Sequence, residues 1–175
     1  MRHALALLAA ATLALSAAAA QPLPQAPPDP DGGSGWVTVG LGAGSPHGTA
    51  GAASVNIGRE RFVQVGYEGT ANIGAQSLAF GVGRHASALH VGVGLSHATP
   101  RERTAVALGP AVAWGVRDNR GTEGSAYVTA GLVVNGQLLV AVSPEVGVGV
   151  VGFVNLNPVE TVGGVALSLA IGSFR

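Results

Sequence analysis

The stretch that decides the fold is Thr104–Val116, which reads TAVALGPAVAWGV. Larger side chains occupy its even-numbered positions, and alanine or glycine occupies the odd-numbered ones. Successive side chains of a β-strand point to opposite sides of the sheet, so this alternation predicts a strand with one aliphatic face and one face of small residues. The same pattern recurs from Trp36 to the C-terminus, which indicates an all-β protein.

The N-terminal part of the chain has a different composition. A positive start at Met1-Arg2, an apolar stretch over 4–15 and small residues at 18–20 have the form of a secretory signal peptide, residues 1–20. The apolar stretch is short for a retained membrane helix, which needs about 20 apolar residues. We therefore expect cleavage after Ala20. Residues 21–35, rich in proline and then glycine, predict a disordered leader.

Residues 36–175 divide at turn-forming residues into ten candidate strands. These are 36–43, 49–58, 61–68, 76–84, 87–96, 104–116, 123–134, 137–143, 145–154 and 161–174. Asn135-Gly136, between two apolar runs, has the sequence of a two-residue type I′ hairpin, in which both residues have positive φ. Pro110 either marks a β-bulge or weakens the prediction that 104–116 is a strand. Eight strands is the alternative, with 137–154 as one strand bent at Pro144 and one short early segment as a loop.

Charge is absent from the centres of these segments. A soluble β-protein would carry charged residues along an outward face. In a bilayer, a charge on the lipid face at mid-membrane costs about 2–4 kcal/mol, so a membrane explains the exclusion. The charged residues after Asp31 all fall between segments or at their ends: Arg59, Glu60, Arg61, Glu68, Arg84, Arg101, Glu102, Arg103, Arg117, Asp118, Arg120, Glu123, Glu145, Glu160 and Arg175.

The sequence therefore predicts a closed antiparallel up-and-down β-barrel of 8–10 strands over residues 36–175. We expect the aliphatic face, including Val91, Val93 and Leu95, to meet lipid, and the small residues to line a narrow interior. One alternative is a secreted, lipocalin-like soluble barrel, in which the same aliphatic residues point inward and bind a small hydrophobic ligand. A third possibility is a surface assembly of chains added edge to edge.

On these features the chain resembles the small bacterial outer-membrane β-barrels as a class. The features are the leader, the alternating segments and a final strand, 161–175, that closes on Phe174. In that class the last strand commonly ends in an aromatic residue that the assembly machinery reads; here Phe174 is penultimate and out of phase with the aliphatic residues. The resemblance implies an outer-membrane location, membrane lipid and the assembly machinery as partners, and a structural, surface or narrow-pore role. It assigns no functional residue.

The aromatic residues predict two interfacial girdles. In the ten-strand arrangement Trp36, Phe62, Trp114, Tyr127 and Phe174 fall near periplasmic strand ends, and Tyr67 and Phe153 near extracellular ends. Only Tyr67, Phe80 and Trp114 share the aliphatic face. The predicted extracellular connections are short, such as 44–48 and 135–136.

Two patterns imitate binding motifs. Gly147–Gly152 matches G-x-G-x-x-G, but no helix is predicted after it, so we interpret it as a glycine-lined strand. His85 and His97 would lie about 40 Å apart on an extended strand, so they cannot share a metal ion with His90 there. His90 is expected to point inward and fill space or form hydrogen bonds.

No catalytic, cofactor-binding or metal-binding set is visible, and we expect no enzymatic activity. Glu68 is the one carboxylate among the inward polar positions, near an extracellular rim. The chain has no cysteine, and its formal net charge is +0. Its positive charges have acidic neighbours, so we expect no basic patch for nucleic acid. The predicted inward polar residues are Thr38, Ser54, Asn56, Gln64, Glu68, His90, Ser96, Thr129 and Ser168.

Overall fold

The computed structural model describes residues 35–72, 84–117 and 124–173. The described strands are β1 (Gly35–Ser45), β2 (Gly48–Gly58), β3 (Arg61–Ala71), β4 (His85–Ala98), β5 (Glu102–Arg117), β6 (Ser125–Ala141), β7 (Val146–Leu156) and β8 (Val162–Gly172). Each pairs antiparallel with the next, and β8 pairs with β1, so the sheet closes into a barrel. The predicted closed up-and-down barrel is confirmed, with eight strands.

Within these ranges, no helix is both long and apolar enough to cross a membrane. The predicted signal peptide and nearly all of the predicted leader lie outside the described residues, as do Phe80 and Phe174.

The predicted hairpin at Asn135-Gly136 is wrong, because both residues lie inside β6. Asn135 pairs with Ala107 of β5 and Phe153 of β7, and Gly136 does not have the positive φ that a type I′ turn requires. The alternation of faces continues unbroken through both residues. Pairing along two long neighbours therefore outweighs the local turn preference of the dipeptide.

The predictions for segments 137–154 and 76–84 also affect the strand count. A single strand over 137–154 is also wrong, since 142–145 connects β6 to β7. The candidate strand 76–84 lies, apart from Arg84, outside the described residues, and β3 pairs directly with β4.

Pro110 does not produce a bulge. β5 pairs with β4 in the same register on both sides of it, from Ala86–Gly115 to His90–Ala111 and again from Val93–Leu108. Because proline has no N–H to donate, the ladder is interrupted there without an extra residue.

The aliphatic face points outward, as predicted. The exposed fractions of Val91, Val93 and Leu95 are 54%, 70% and 67%, while alanine and glycine positions such as Ala107 and Ala113 are buried inside. This orientation is the opposite of that in the lipocalin-like alternative. The pairing of β1 with β8 leaves no free edge strand in the barrel, so the edge-to-edge assembly is not supported either.

The two ends of the barrel differ in their connections. The turn end carries the short connections 59–60, 99–101 and 142–145, together with the start of β1 and the end of β8. The loop end carries 46–47, 72–84, 118–124 and 157–161. In bacterial outer-membrane barrels short turns are periplasmic and longer loops extracellular.

The two predicted aromatic girdles are not found in the described part of the wall. Trp114 and Tyr127 lie near the loop end, because the direct pairing of β3 with β4 reverses the directions assigned to the segments around them. Trp36, Phe62 and Phe153 point inward and are buried. Of the aromatic residues that the structure describes, Tyr67 and Trp114 face outward, with ring centroids 6.1 Å apart.

Candidate functional site

The interior of the barrel contains a polar layer near its middle. Its residues come from the inward positions of β2, β3, β4 and β6, opposite the aliphatic outer face. Each of them is buried, so each must find a hydrogen-bond partner inside the protein. We call this set the polar ring: Ser54, Asn56, Gln64, Glu68, His90, Asn135 and Gln137.

One half of the polar ring joins β3, β6 and β2. Asn135 Nδ2 donates to Glu68 Oε1 at 2.6 Å, and Asn135 Oδ1 accepts from Gln137 Nε2 at 3.2 Å. Gln137 Nε2 also donates to Ser54 Oγ at 3.3 Å. The Asn135–Glu68 and Gln137–Ser54 bonds cross the interior between strands that are not neighbours, so they tie distant parts of the wall together.

The other half runs back through β3 and β4. Asn56 Nδ2 donates to Ser54 Oγ at 3.1 Å, and Gln64 Nε2 donates to Asn56 Oδ1 at 2.8 Å. His90 Nε2 lies 2.8 Å from Gln64 Oε1, and His90 Nδ1 lies 3.5 Å from Glu68 Oε2. The last contact closes the ring.

The donor order assigns a proton to Nε2 of His90. Gln64 uses its amide N–H toward Asn56, so its carbonyl oxygen faces His90, whose Nε2 must carry a proton. Nδ1 then faces a carboxyl oxygen, and an attractive contact requires one further proton, on either Nδ1 or the carboxyl group. The structure places these two atoms 3.5 Å apart and gives neither Glu68 Oε2 nor His90 Nδ1 a hydrogen-bond partner.

An apolar layer closes the interior at the turn end. Trp36 and Phe62 pack with ring centroids 5.0 Å apart, in a buried cluster with Leu139 and surrounding alanines. Trp36 Nε1 donates to Gln137 Oε1 at 2.8 Å, which links this layer to the polar ring. The Arg103 guanidinium lies 4.2 Å from the Trp36 ring centroid and donates to Ser173 O at 2.8 Å.

A second apolar layer lies at the loop end. Val151, Phe153 and Val162 form a buried cluster with alanines of β2 and β4, and Tyr127 packs against it. The Tyr127 hydroxyl donates to Glu160 Oε2 at 3.4 Å, and His47 Nε2 lies 3.6 Å from the same oxygen. The buried side chains of the described interior thus include two apolar layers with the polar ring between them, and a third apolar cluster of Ala88, Ala111, Ala113 and Val133.

The structure separates the three histidines that the sequence singled out. His90 belongs to the polar ring, His85 begins β4 at the loop end, and His97 is exposed toward the turn end. No group of three or more potential metal ligands occurs in residues 35–72, 84–117 and 124–173. Gly147–Gly152 lies within β7, where the sequence interpretation placed it.

The predicted inward polar positions are largely buried, with two exceptions. Ser96 and Thr129 are half-buried, and both use their hydroxyls on backbone carbonyls rather than on the polar ring. Glu68 is fully buried within the ring rather than at a rim.

Sequence reasoning missed Asn135 and Gln137, because it assigned one to a turn and the other to the start of a new strand. Both alternate with the outward residues Val134 and Leu138, and continuing that parity through the dipeptide would have placed them inside. Arg103 was missed because it was treated as part of a charged turn.

No protein-family model and no curated protein matches the sequence. The fold matches solved structures. The N-terminal β-barrel domain of Pseudomonas aeruginosa OprF is 10% identical, with a TM-score of 0.58 over 79% of this chain and 98% of that one. Neisserial surface protein A is 15% identical, with a TM-score of 0.55 over 79% and 95%.

Ail, the attachment invasion locus protein of Yersinia pestis, is 12% identical, with a TM-score of 0.54 over 82% of this chain and 99% of that one. The matches span nearly the whole of each neighbour, while the identities are too low to carry over individual residues. What is shared is the architecture, and the closed eight-stranded barrel of this chain has the fold of the small outer-membrane β-barrels.

Proposed function

We propose that the protein is an integral outer-membrane β-barrel with a sealed interior and a structural or surface role. The observation that carries this proposal is the combination of an outward aliphatic wall with an interior filled along its described length. Such a protein spans the bilayer and displays the connections of its loop end without conducting solutes.

The outer wall supports the membrane location. Exposed aliphatic side chains stand on every strand, where in water they would form a continuous apolar belt far larger than soluble proteins tolerate. Tyr67 and Trp114 lie on this wall near the loop end, where amphipathic rings favour the membrane interface. Lipid is the solvent that stabilises this surface.

The interior supports a non-conducting barrel. A selective pore needs a water-filled path lined by charged or polar groups. Here the one carboxylate of the polar ring, Glu68, is held by Asn135 and His90, and apolar layers cover the ring on both sides. Small eight-stranded barrels have interiors that side chains can fill.

The polar ring also lacks the arrangement of a hydrolase. Glu68 beside His90 resembles the acid and base of a catalytic triad, but Nε2 of His90 is occupied by the Gln64 amide rather than by a hydroxyl nucleophile. The pair is buried within the filled interior, away from any substrate. We therefore propose a structural role for it, and no enzymatic activity.

We further propose that a signal peptide, residues 1–20, directs the chain to the periplasm and is removed after Ala20. The outer-membrane assembly machinery would then insert residues 36–175. The composition of residues 1–20 supports the first step, and the closed barrel with its outward aliphatic wall supports the second.

The first test is gel migration of the protein extracted from washed outer membranes, heated and unheated. We expect faster migration without heating, an N-terminus at Gln21, and no conductance steps in planar bilayers. Recovery in the soluble fraction without a heat shift would overturn the membrane assignment. Discrete channels formed by the heat-shifting wild-type protein would overturn the sealed interior and leave the membrane assignment intact.

A further inference from the structure

A groove on the outer wall at the turn end differs from the surrounding lipid-facing surface. It has a volume of about 420 Å³ and runs between the outward side chains of β2, β3 and β4. Ile57, Val63 and Val93 form one side, and Arg61 and Leu95 form the other. Its volume lies within the range of roughly 300–1,000 Å³ that is typical of small-molecule sites.

The strand register explains why the groove is present. Phe62 and Gly94 pair between the two outward rows, and both have inward positions: the Phe62 ring packs inside against Trp36, and a Cβ on Gly94 would meet the Phe62 ring. β2 ends at Gly58, so that strand adds no residue to the row of Arg61 and Leu95. The groove is therefore open toward the turn.

The turn beside the groove is held in place and carries the charge. Ser96 N donates to Glu60 O at 2.8 Å, and Ser96 Oγ donates to Arg59 O, so β4 fixes the connection 59–60. Arg59, Glu60 and Arg61 are all exposed. Two guanidinium groups against one carboxylate leave one net positive charge at the open end of an apolar groove.

This arrangement matches the two halves of a phospholipid. An acyl chain fits an apolar groove on a lipid-facing wall, and an arginine at the membrane surface pairs with a phosphate. We propose that the groove binds an anionic phospholipid, of the phosphatidylglycerol class, from the leaflet at the turn end. Arg61 contacts the phosphate, and the long stem of its side chain lies along the apolar wall. The inference rests on the proposed membrane insertion and adds a specific lipid partner.

The test is native mass spectrometry of the full mature chain in detergent, titrated with phosphatidylglycerol, phosphatidylethanolamine or uncharged diacylglycerol. We expect preferential retention of phosphatidylglycerol, and about fivefold weaker retention in Arg61→Gln. Arg101→Gln, an exposed arginine in a different turn at the same end, is the matched control and should bind like wild type.

The groove itself is tested by Val63→Phe, which fills it, against Val148→Phe on the wall formed by β7. Only Val63→Phe should lose the lipid. Equal retention by Arg61→Gln and Arg101→Gln, or by the two phenylalanine variants, would overturn the inference. Complete displacement by inorganic phosphate would also overturn it, because a bare anion site needs no groove. If these results are obtained with variants that still show the heat shift, they overturn only the lipid site and leave the proposed function intact. Absence of the heat shift in the wild-type protein would instead overturn the proposed function.

Discussion

At the scale of single residues, the polar ring is organised around the buried Glu68–His90 pair. An isolated buried polar group is expensive, and these two residues reduce that cost through the hydrogen bonds from Asn135 to Glu68 and between His90 and Gln64. Every donor in the ring between Gln137 and His90 faces an acceptor. Removing one hydrogen-bonding partner should therefore lower the free energy of unfolding, whereas replacing a residue of the ring by one of the same shape should change it little.

Glu68→Gln should leave the free energy of unfolding within about 1 kcal/mol of wild type, whereas Glu68→Ala should lower it by about 1–3 kcal/mol. The amide of the glutamine can accept from Asn135 and donate to His90 Nδ1, but alanine leaves both without a partner. Urea unfolding in lipid vesicles measures the difference. Equal destabilisation by the two variants would show that the carboxyl group is needed for its charge rather than for its hydrogen bonds.

At the scale of elements, β6 shows a long strand overriding a strong local turn sequence. Asn135-Gly136 lies in its middle, with Asn135 directed into the polar ring and Gly136 directed outward. A Cβ on Gly136 would meet nothing closer than Gly152 O at 4.0 Å. The glycine is therefore not required there by its backbone conformation or by lack of space.

Gly136→Val should fold and keep the wild-type stability within about 1 kcal/mol, since a β-branched side chain suits an outward strand position. In a type I′ turn the same change would be strongly unfavourable. Gly149→Ala on β7 is the contrasting variant, because its Cβ would overlap Leu138 O, and it should cost about 1–3 kcal/mol. The gel heat shift and urea unfolding compare the two, and a reversed ranking would contradict the assignment of β6.

At the scale of the whole molecule, closure of the barrel gives each side chain one of two environments. Trp36 and Trp114, the two tryptophans of the chain, represent them. Trp36 is buried in the apolar layer at the turn end, and Trp114 stands on the outer wall beside Tyr67. Their fluorescence therefore reports separately on the barrel interior and on the outer wall.

Trp36→Phe, which retains Trp114, should show strong fluorescence quenching by brominated lipids. Trp114→Phe, which retains Trp36, should show weak quenching by brominated lipids and by aqueous iodide. Strong iodide quenching of Trp36 in a heat-shifting barrel would mean that water enters the interior from the turn end. Weak lipid quenching of Trp114 would contradict the orientation of the wall.

The sequence by itself determined the strand character of the described segments after Trp36, the outward direction of the aliphatic face and the closed up-and-down class of the barrel. These properties are readable because the period of two is local and because a bilayer excludes charge from the outer wall. The tertiary structure decided the continuity of β6 and the composition of the polar ring. Asn135 meets Glu68 across 67 positions in sequence, so the register of the closed sheet, and not local preference, sets their contact.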